Sequence, residues 1–223
     1  MLVNSRMTRE PVAVSPDHTL ARALRTAREH RVRHLPVVAG GELVGILSDR
    51  DIRLATPSPF AADEMDRADY LERTSVAEVM TREVITVGAA DTVEDAAKAL
   101  VRHRIGALPV VDAGNHLLGI LTETDILHAF VEMLGGSGAS TRLEVELPDR
   151  PGELARAVRI LGEDLRVNIT SVLVPPGRPH AARCAILHVA TIDPREAIAA
   201  LEAAGFRVGW PSLEADLRRP LEA

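Results

Sequence analysis

One cysteine, one lysine and five aromatic residues are all that 223 residues contain of those types. The lone Cys184 excludes an internal disulfide framework and a cysteine-rich zinc site. Of the 26 basic residues only Lys98 is lysine, so Schiff-base chemistry has a single candidate, on a charged stretch where a solvated role suffices. Three Phe, Tyr70 and Trp210 are too few to build a stacking platform for bases or sugars. No apolar run approaches the ~18 residues of a membrane helix. The N-terminus, MLVNSRMTRE, lacks the apolar core of a signal peptide. A net charge of −6 argues against nucleic acid or an acidic membrane as partner, since both need a basic face. The eight His show no metal-ligand spacing, so no metal and no cofactor are expected. No nucleophile elbow, Walker sequence or His-Glu metal motif occurs, and no catalytic residue is assigned. The simplest compartment is the cytoplasm. What remains is a globular composition, 46% hydrophobic and 26% charged, of a length for one or two domains.

The chain contains an internal duplication. MTREPVAVSPDHTLARALRTAREHRVRHLPVVAGGELVGILSDRDI from Met7 matches MTREVITVGAADTVEDAAKALVRHRIGALPVVDAGNHLLGILTETDI from Met80. The offset is 73, becoming 74 after a one-residue insertion in a turn, and 20 of 47 positions over residues 7–53 are identical. Each copy predicts β-α-β-β-α. Val12–Val14 and Val84–Val87 are β-branched strands. Helices start at Thr19 and Thr92, with Leu20, Ala23, Leu24 and Ala27, or Val93, Ala96, Ala97 and Leu100, at helical spacing. Leu-Pro-Val-Val (35–38, 108–111) is a buried strand, Leu43–Leu47 and Leu117–Leu121 complete hairpins, and last helices begin at Ser48 and Thr122. Between the copies, Pro57-Ser-Pro-Phe60 breaks the helix and 61–73 predicts a short acidic helix. Ser75 and Glu78 have capping-box spacing.

Leu-Pro-Val-Val, followed by Gly45-Ile-Leu-Ser48-Asp-Arg-Asp51 and again by Gly119-Ile-Leu-Thr122-Glu-Thr-Asp125, makes each unit resemble the cystathionine-β-synthase (CBS) domain. The resemblance implies a tandem pair packed with pseudo-twofold symmetry. It also implies two clefts that take adenosine-containing ligands: AMP, ADP, ATP or S-adenosylmethionine. The residues agree with that chemistry. Ser48 and Thr122 fall at helix N-caps, where free N–H groups favour a phosphate. Asp51 and Asp125 lie one turn later, where a carboxylate can accept two hydrogen bonds from a ribose diol. Plain helix capping accounts for Ser/Thr and for the acid separately, but not for the same spacing twice. By resemblance, Val32, Arg33 and His34, and Ile105, Gly106 and Ala107, lie against the adenine or phosphates, with Thr86 beside them. Arg33 and His34 give copy one cationic reach, or are simply solvated. Gly106 and Ala107 give copy two room without charge, so the two clefts should differ.

The glycine-rich stretch 135–140 reads as a linker. After it, Arg142–Leu147 alternates as a strand, Pro148-Asp-Arg-Pro-Gly152 turns, and a helix runs from Glu153 with Leu154, Ala157, Val158 and Leu161 inward. Asn168–Val174 and Arg183–Ala190 are strands joined by a loop at 175–179. Asp193-Pro194 starts a helix that Gly205 ends, and Phe206–Gly209 is a last strand. This is the ferredoxin-like order β-α-β-β-α-β. Leu147-Pro-Asp-Arg-Pro-Gly152-Glu-Leu154 and Val167-Asn168-Ile169 resemble an ACT domain. That resemblance implies pairing through sheets and an amino-acid site at Asp149, Arg150, Gly152 and Asn168, although turn chemistry alone also explains these residues.

The expected architecture is therefore α+β. It comprises CBS repeat 1 (1–56), a connector (57–74), CBS repeat 2 (75–134), a linker (135–140), an ACT domain (141–210) and a tail (211–223). The order resembles that of the bacterial acetoin-utilisation AcuB family. It implies a non-enzymatic sensor that controls carbon metabolism, works as a homodimer and signals to an unidentified regulated protein. The alternative is an assembly module with degenerate pockets.

Overall fold

The computed structural model describes residues 1–58, 64–134, 140–175 and 183–209. The tail, Trp210, most of the linker at 135–140 and most of the loop at 175–179 lie outside the described residues. The chain divides into two compact units, Met1–Leu127 and His128–Ala223.

In the first unit, copy one forms helix α1 (Leu20–His30), hairpin strands β2 (His34–Ala39) and β3 (Glu42–Ser48), and helix α2 (Asp49–Ala55). Copy two repeats this as α5 (Val93–His103), β5 (Ala107–Val111), β6 (Leu117–Thr122) and α6 (Glu123–Met133), the last running past the unit boundary. Thr19 and Thr92 cap α1 and α5, accepting from Arg22 N–H at 3.2 Å and Asp95 N–H at 3.1 Å. The two helices end in the same way, on left-handed Arg31 and Arg104. Their apolar stripes, Leu20, Ala23 and Ala27, and Val93, Ala96 and Leu100, are buried. The first predicted strand of each copy is much shorter than expected. Val14 makes a single parallel bridge to Val37, and only β4 (Val87–Gly88) pairs with β5.

The leading segments of the two copies are exchanged. Strand β1 (Thr8–Arg9) pairs with β6 of copy two, Thr8 opposite Ile120. Thr81, its repeat equivalent, bridges Ile46 in β3 of copy one. Val3 is fully buried in the core of copy two, with Leu100, Leu108, Val110 and Leu121. Val76, on the short helix α4 (Val76–Val79), is fully buried in the core of copy one, with Leu20, Leu35, Val37 and Leu47. The hydrogen bonds obey the same symmetry. Val3 N–H donates to Asp91 O (2.9 Å) and Val76 N–H to His18 O (2.8 Å); Asn4 N–H donates to Ala89 O and Ala77 N–H to Pro16 O, each at 3.0 Å. The packed cores thus do not coincide with the sequence repeats. The connector contributes α3 (Glu64–Arg73), whose Tyr70 and Leu71 pack against the core of copy one.

In the second unit, β7 (Thr141–Leu147), α7 (Glu153–Arg159), β8 (Ile169–Leu173), β9 (Arg183–Val189), α8 (Arg195–Ala203) and β10 (Arg207–Gly209) give the order β-α-β-β-α-β. The antiparallel sheet runs β10-β7-β9-β8. Leu143, Val145 and Leu147 alternate with Ala185, Leu187 and Val189 on the buried face, where α7 and α8 supply Ala157, Ala197 and Leu201. Helix α7 continues as a π turn, Ile160–Asp164, that buries Leu161. Helix α8 starts two residues after the expected cap. Asp193 instead accepts from Arg195 N–H at 3.1 Å, and the Arg195 guanidinium holds its carboxyl down at about 2.

Candidate functional site

Each hairpin ends where a helix begins, so the last strand residue is also the helix N-cap. In copy one this is Ser48. Its N–H (2.8 Å) and hydroxyl (2.6 Å) both donate to Asp51 Oδ2, and Asp51 N–H donates back to Ser48 Oγ at 3.2 Å. In copy two Thr122 N–H (2.8 Å) and hydroxyl (2.7 Å) donate to Asp125 Oδ2, and Asp125 N–H donates to Thr122 Oγ1 at 3.3 Å. This is a reciprocal capping box, with Asp at the position more often taken by Glu. It also supplies what the sequence argument lacked, a structural reason for the same Ser/Thr-to-Asp spacing twice. Capping uses one carboxylate oxygen in each copy. Oδ1 of Asp51 and of Asp125 accepts no hydrogen bond among the described residues, and the N-terminal N–H groups of each helix point the same way as in any anion-accepting helix start. All four side chains are half-buried, which leaves them reachable.

The segments before Leu-Pro-Val-Val are placed differently from one another. Arg33 O accepts Asp49 N–H at 3.0 Å, and Gly106 O accepts Glu123 N–H at 3.1 Å, so the two backbones match. The side chains do not. His34 reaches across to copy two, where a Cβ on Gly106 would stand 3.1 Å from the imidazole and 3.5 Å from Glu123 Oε2. Gly106 therefore gives room that His34 occupies. Burial pushes the His34 pKa below its ordinary 6.5, and the Arg33 guanidinium adds to this; Asp49, Glu123 and Asp51 pull the other way. Val32 and Ile105 are partly buried against the cores of their own copies. Arg33 and Val32 line a different cleft, between α1, α2 and α3, which neither Ser48 nor Asp51 lines. Ala107 is buried and Thr86, just before β4, half-buried. The structure thus brings His34, Gly106, Glu123 and Asp51 together, and places the Arg33 side chain with Asp49 on the cleft between α1, α2 and α3. Asp49 and Glu123, which sequence reasoning passed over, are the next positions in each Ser/Thr-acid run.

In the second unit the four candidate residues fall at opposite ends of the sheet. Asp149 lies by Arg183 (3.7 Å), next to the Leu147–Arg183 pair. Gly152, at a φ of 92° that favours glycine, caps α7. Arg150 N–H donates to Pro148 O at 2.7 Å. Asn168 O accepts Ala190 N–H at 2.8 Å, beside the Thr141–Val189 pair at the far end. Six residue steps of strand separate the two ends, on the order of 20 Å. Asn168 instead lines a shallow cleft of about 420 Å³ with Val158, Gly162 and Arg166.

Comparison with known proteins bears on the first unit. The CBS domain family model matches residues 3–57 and 76–132. A CBS domain-containing protein of Dictyostelium discoideum is 35% identical over 60% of this chain and 94% of its own length. Other curated relatives are longer, and the chain spans 47% of one and 32% of another. Among solved structures, CBSX2 (Arabidopsis thaliana) in complex with AMP is 30% identical, with a TM-score of 0.50 over 59% of this chain and 96% of that one. The CBS pair of protein MJ0100, in complex with 5-methylthioadenosine and S-adenosyl-L-methionine, is 28% identical, with a TM-score of 0.50 over 59% and 97%. An acetoin utilization protein, AcuB, of Vibrio cholerae is 29% identical, with a TM-score of 0.51 over 60% and 93%. Among the described residues no helix is long and apolar enough to cross a membrane, and no cluster of His, Cys, Asp and Glu forms a metal site.

Proposed function

The chain belongs to the CBS-domain family, and from that membership we propose that it is a regulatory ligand sensor rather than an enzyme. An adenosine-containing ligand, AMP, ADP, ATP or S-adenosylmethionine, binds between the copies. One observation carries the reading: in both copies the capping-box aspartate, three residues after the N-cap, keeps one carboxylate oxygen clear of the cap beside a helix N-terminus. Solved structures similar over 59% of this chain are complexes with AMP and with 5-methylthioadenosine and S-adenosyl-L-methionine, which supports it. Asp51 and Asp125 accept the ribose hydroxyls, the helix N–H groups face phosphate, and Thr86, Ile105, Gly106 and Ala107 line the adenosine. His34, crossing to Gly106, makes the two clefts unequal. Binding acts by favouring one of two arrangements of the pair.

The second unit is proposed as an ACT-like module. Asp149, Arg150 and Gly152 stand at one end of its sheet and Asn168 at the other, so an amino-acid site that uses all four needs a second copy. The chain is accordingly read as a homodimer, with the AcuB-like role of controlling carbon metabolism through a regulated protein.

The test is calorimetric titration of AMP, ATP and S-adenosylmethionine into the full chain. Asp51→Asn with Asp125→Asn keeps an oxygen to accept the cap N–H but removes the charge that favours a diol. The double variant should fold and lose at least tenfold in affinity. Unchanged affinity, or no binding by the wild type at millimolar ligand, overturns the assignment.

A further inference from the structure

The cleft that takes Arg33 is lined in part by the connector helix α3, through Arg67, Ala68 and Leu71. It holds about 850 Å³ between α1, α2 and α3, a size suited to a nucleotide-sized molecule. Arg28, Arg31, Arg33, Arg53 and Arg67 line it, with Asp49 as the acid. Asp49 is paired with Arg53 at 3.4 Å. Among the described residues the lining therefore carries a surplus of four positive charges, in a chain whose net charge is −6. Among the described residues the other four arginines make no ion pair. Arg67 is the most telling of them: its Nε is buried and has no hydrogen-bond partner. Leaving such a donor unsatisfied is costly, and it is a group that a ligand oxygen would complete.

The duplication provides an internal control. In copy two the positions equivalent to Arg28, Arg33 and Arg53 are Val101, Gly106 and Leu127, and only Arg104 keeps the charge. Arg67 belongs to the connector and has no equivalent. The arginines are therefore no requirement of the fold, since the same fold is built twice and only once with them. Guanidinium groups suit phosphate because their planar donors can bond two oxygens at once. Below them Leu24, Ile52 and Leu71 give the cleft an apolar floor.

We propose that this cleft is a polyanion site that takes an oligophosphate chain, separate from the adenosine clefts between the copies. The connector helix α3 closes the site by bringing in Arg67.

The probe is inorganic tripolyphosphate, titrated calorimetrically into the full chain. One equivalent should bind, and binding should weaken as salt rises. It should survive in the Asp51→Asn/Asp125→Asn variant, which separates this site from the adenosine reading. Arg67→Gln should weaken it at least tenfold. Arg28→Gln/Arg53→Gln, at exposed positions that leave α3 untouched, should do the same if the fold is intact by circular dichroism. ATP titrated into the Asp51→Asn/Asp125→Asn variant distinguishes the sources: tighter binding than tripolyphosphate assigns the apolar floor to a base, and equal binding assigns the whole site to phosphates. Absence of tripolyphosphate binding at millimolar concentration, its loss in the aspartate variant, or its indifference to the arginine substitutions overturns the proposal.

Discussion

Gly45 and Gly119 look interchangeable as residues, since each opens the same Gly-Ile-Leu-Ser/Thr run. Their surroundings separate them. A Cβ on Gly119 would stand 2.8 Å from the backbone oxygen of Thr8 and 2.7 Å from Met7 Sδ. A Cβ on Gly45 would stand 2.5 Å from Met80 Sδ, a flexible side-chain atom, and 3.2 Å from Thr81 O. A thioether can swing away, whereas a strand carbonyl moves only with its strand. Gly119→Ala should thus cost about 1–3 kcal/mol, in the range of overpacked cores, and Gly45→Ala less. Denaturant unfolding of the two variants checks this, and the reverse order would contradict the packing. His34 gives a second test at this scale. Its pKa is lower in the folded state than its ordinary 6.5, so the unfolded chain binds the proton more readily. The stability it contributes is complete above 6.5 and declines as the pH falls through that value. The depressed carboxylates, such as Glu78 from 4.5, lose theirs only at lower pH. Between these limits His34→Gln should flatten the pH dependence of the melting temperature. His18 and His188, shifted the same way, leave a residual slope. An unaltered slope in His34→Gln would mean that His34 does not carry the effect.

Elements were legible in the sequence wherever a periodic apolar stripe and a cap agreed. Helices α1 and α5, the hairpins and the sheet of the second unit follow from such patterns, and Leu143, Val145 and Leu147 are buried as their alternation requires. The leading strands were less legible because Val12–Val14 and Val84–Val87 show β-branched composition but not partners. Strand length is set by the neighbouring chain, and here each leading segment meets its own copy's hairpin over only one or two residues. The site was legible in its residue types and only partly in its arrangement. The Ser48–Asp51 and Thr122–Asp125 spacing announced a helix start, but one motif serves both cap and ligand chemistry, and only geometry shows that the cap consumes a single oxygen. Arg33 and His34 are neighbours in sequence, but Arg33 lies in the bend before β2 and His34 is the first residue of that strand.

At the scale of the whole molecule, the exchange of leading segments makes the two copies one folding unit. Val3 completes the core of copy two from the N-terminus, and Val76 completes the core of copy one from the start of repeat 2. Neither copy can lose its structure without releasing a segment that is continuous with the other: β1 passes directly into copy one, and Thr81 directly into copy two. Cutting the chain at the repeat boundary would therefore remove a core residue from each half. The consequence is testable without cutting it. Val3→Ala deletes two methyl groups at a fully buried position, which should cost about 2 kcal/mol. If the copies open together, native-state hydrogen exchange should speed up at the β2–β3 amides as much as at the β5–β6 amides, by roughly thirtyfold, because about 1.4 kcal/mol is a factor of ten. Val76→Ala should give the same pattern from the other side. Faster exchange confined to β5 and β6 in Val3→Ala would show instead that the copies unfold independently, and that the exchanged segments dock without coupling them.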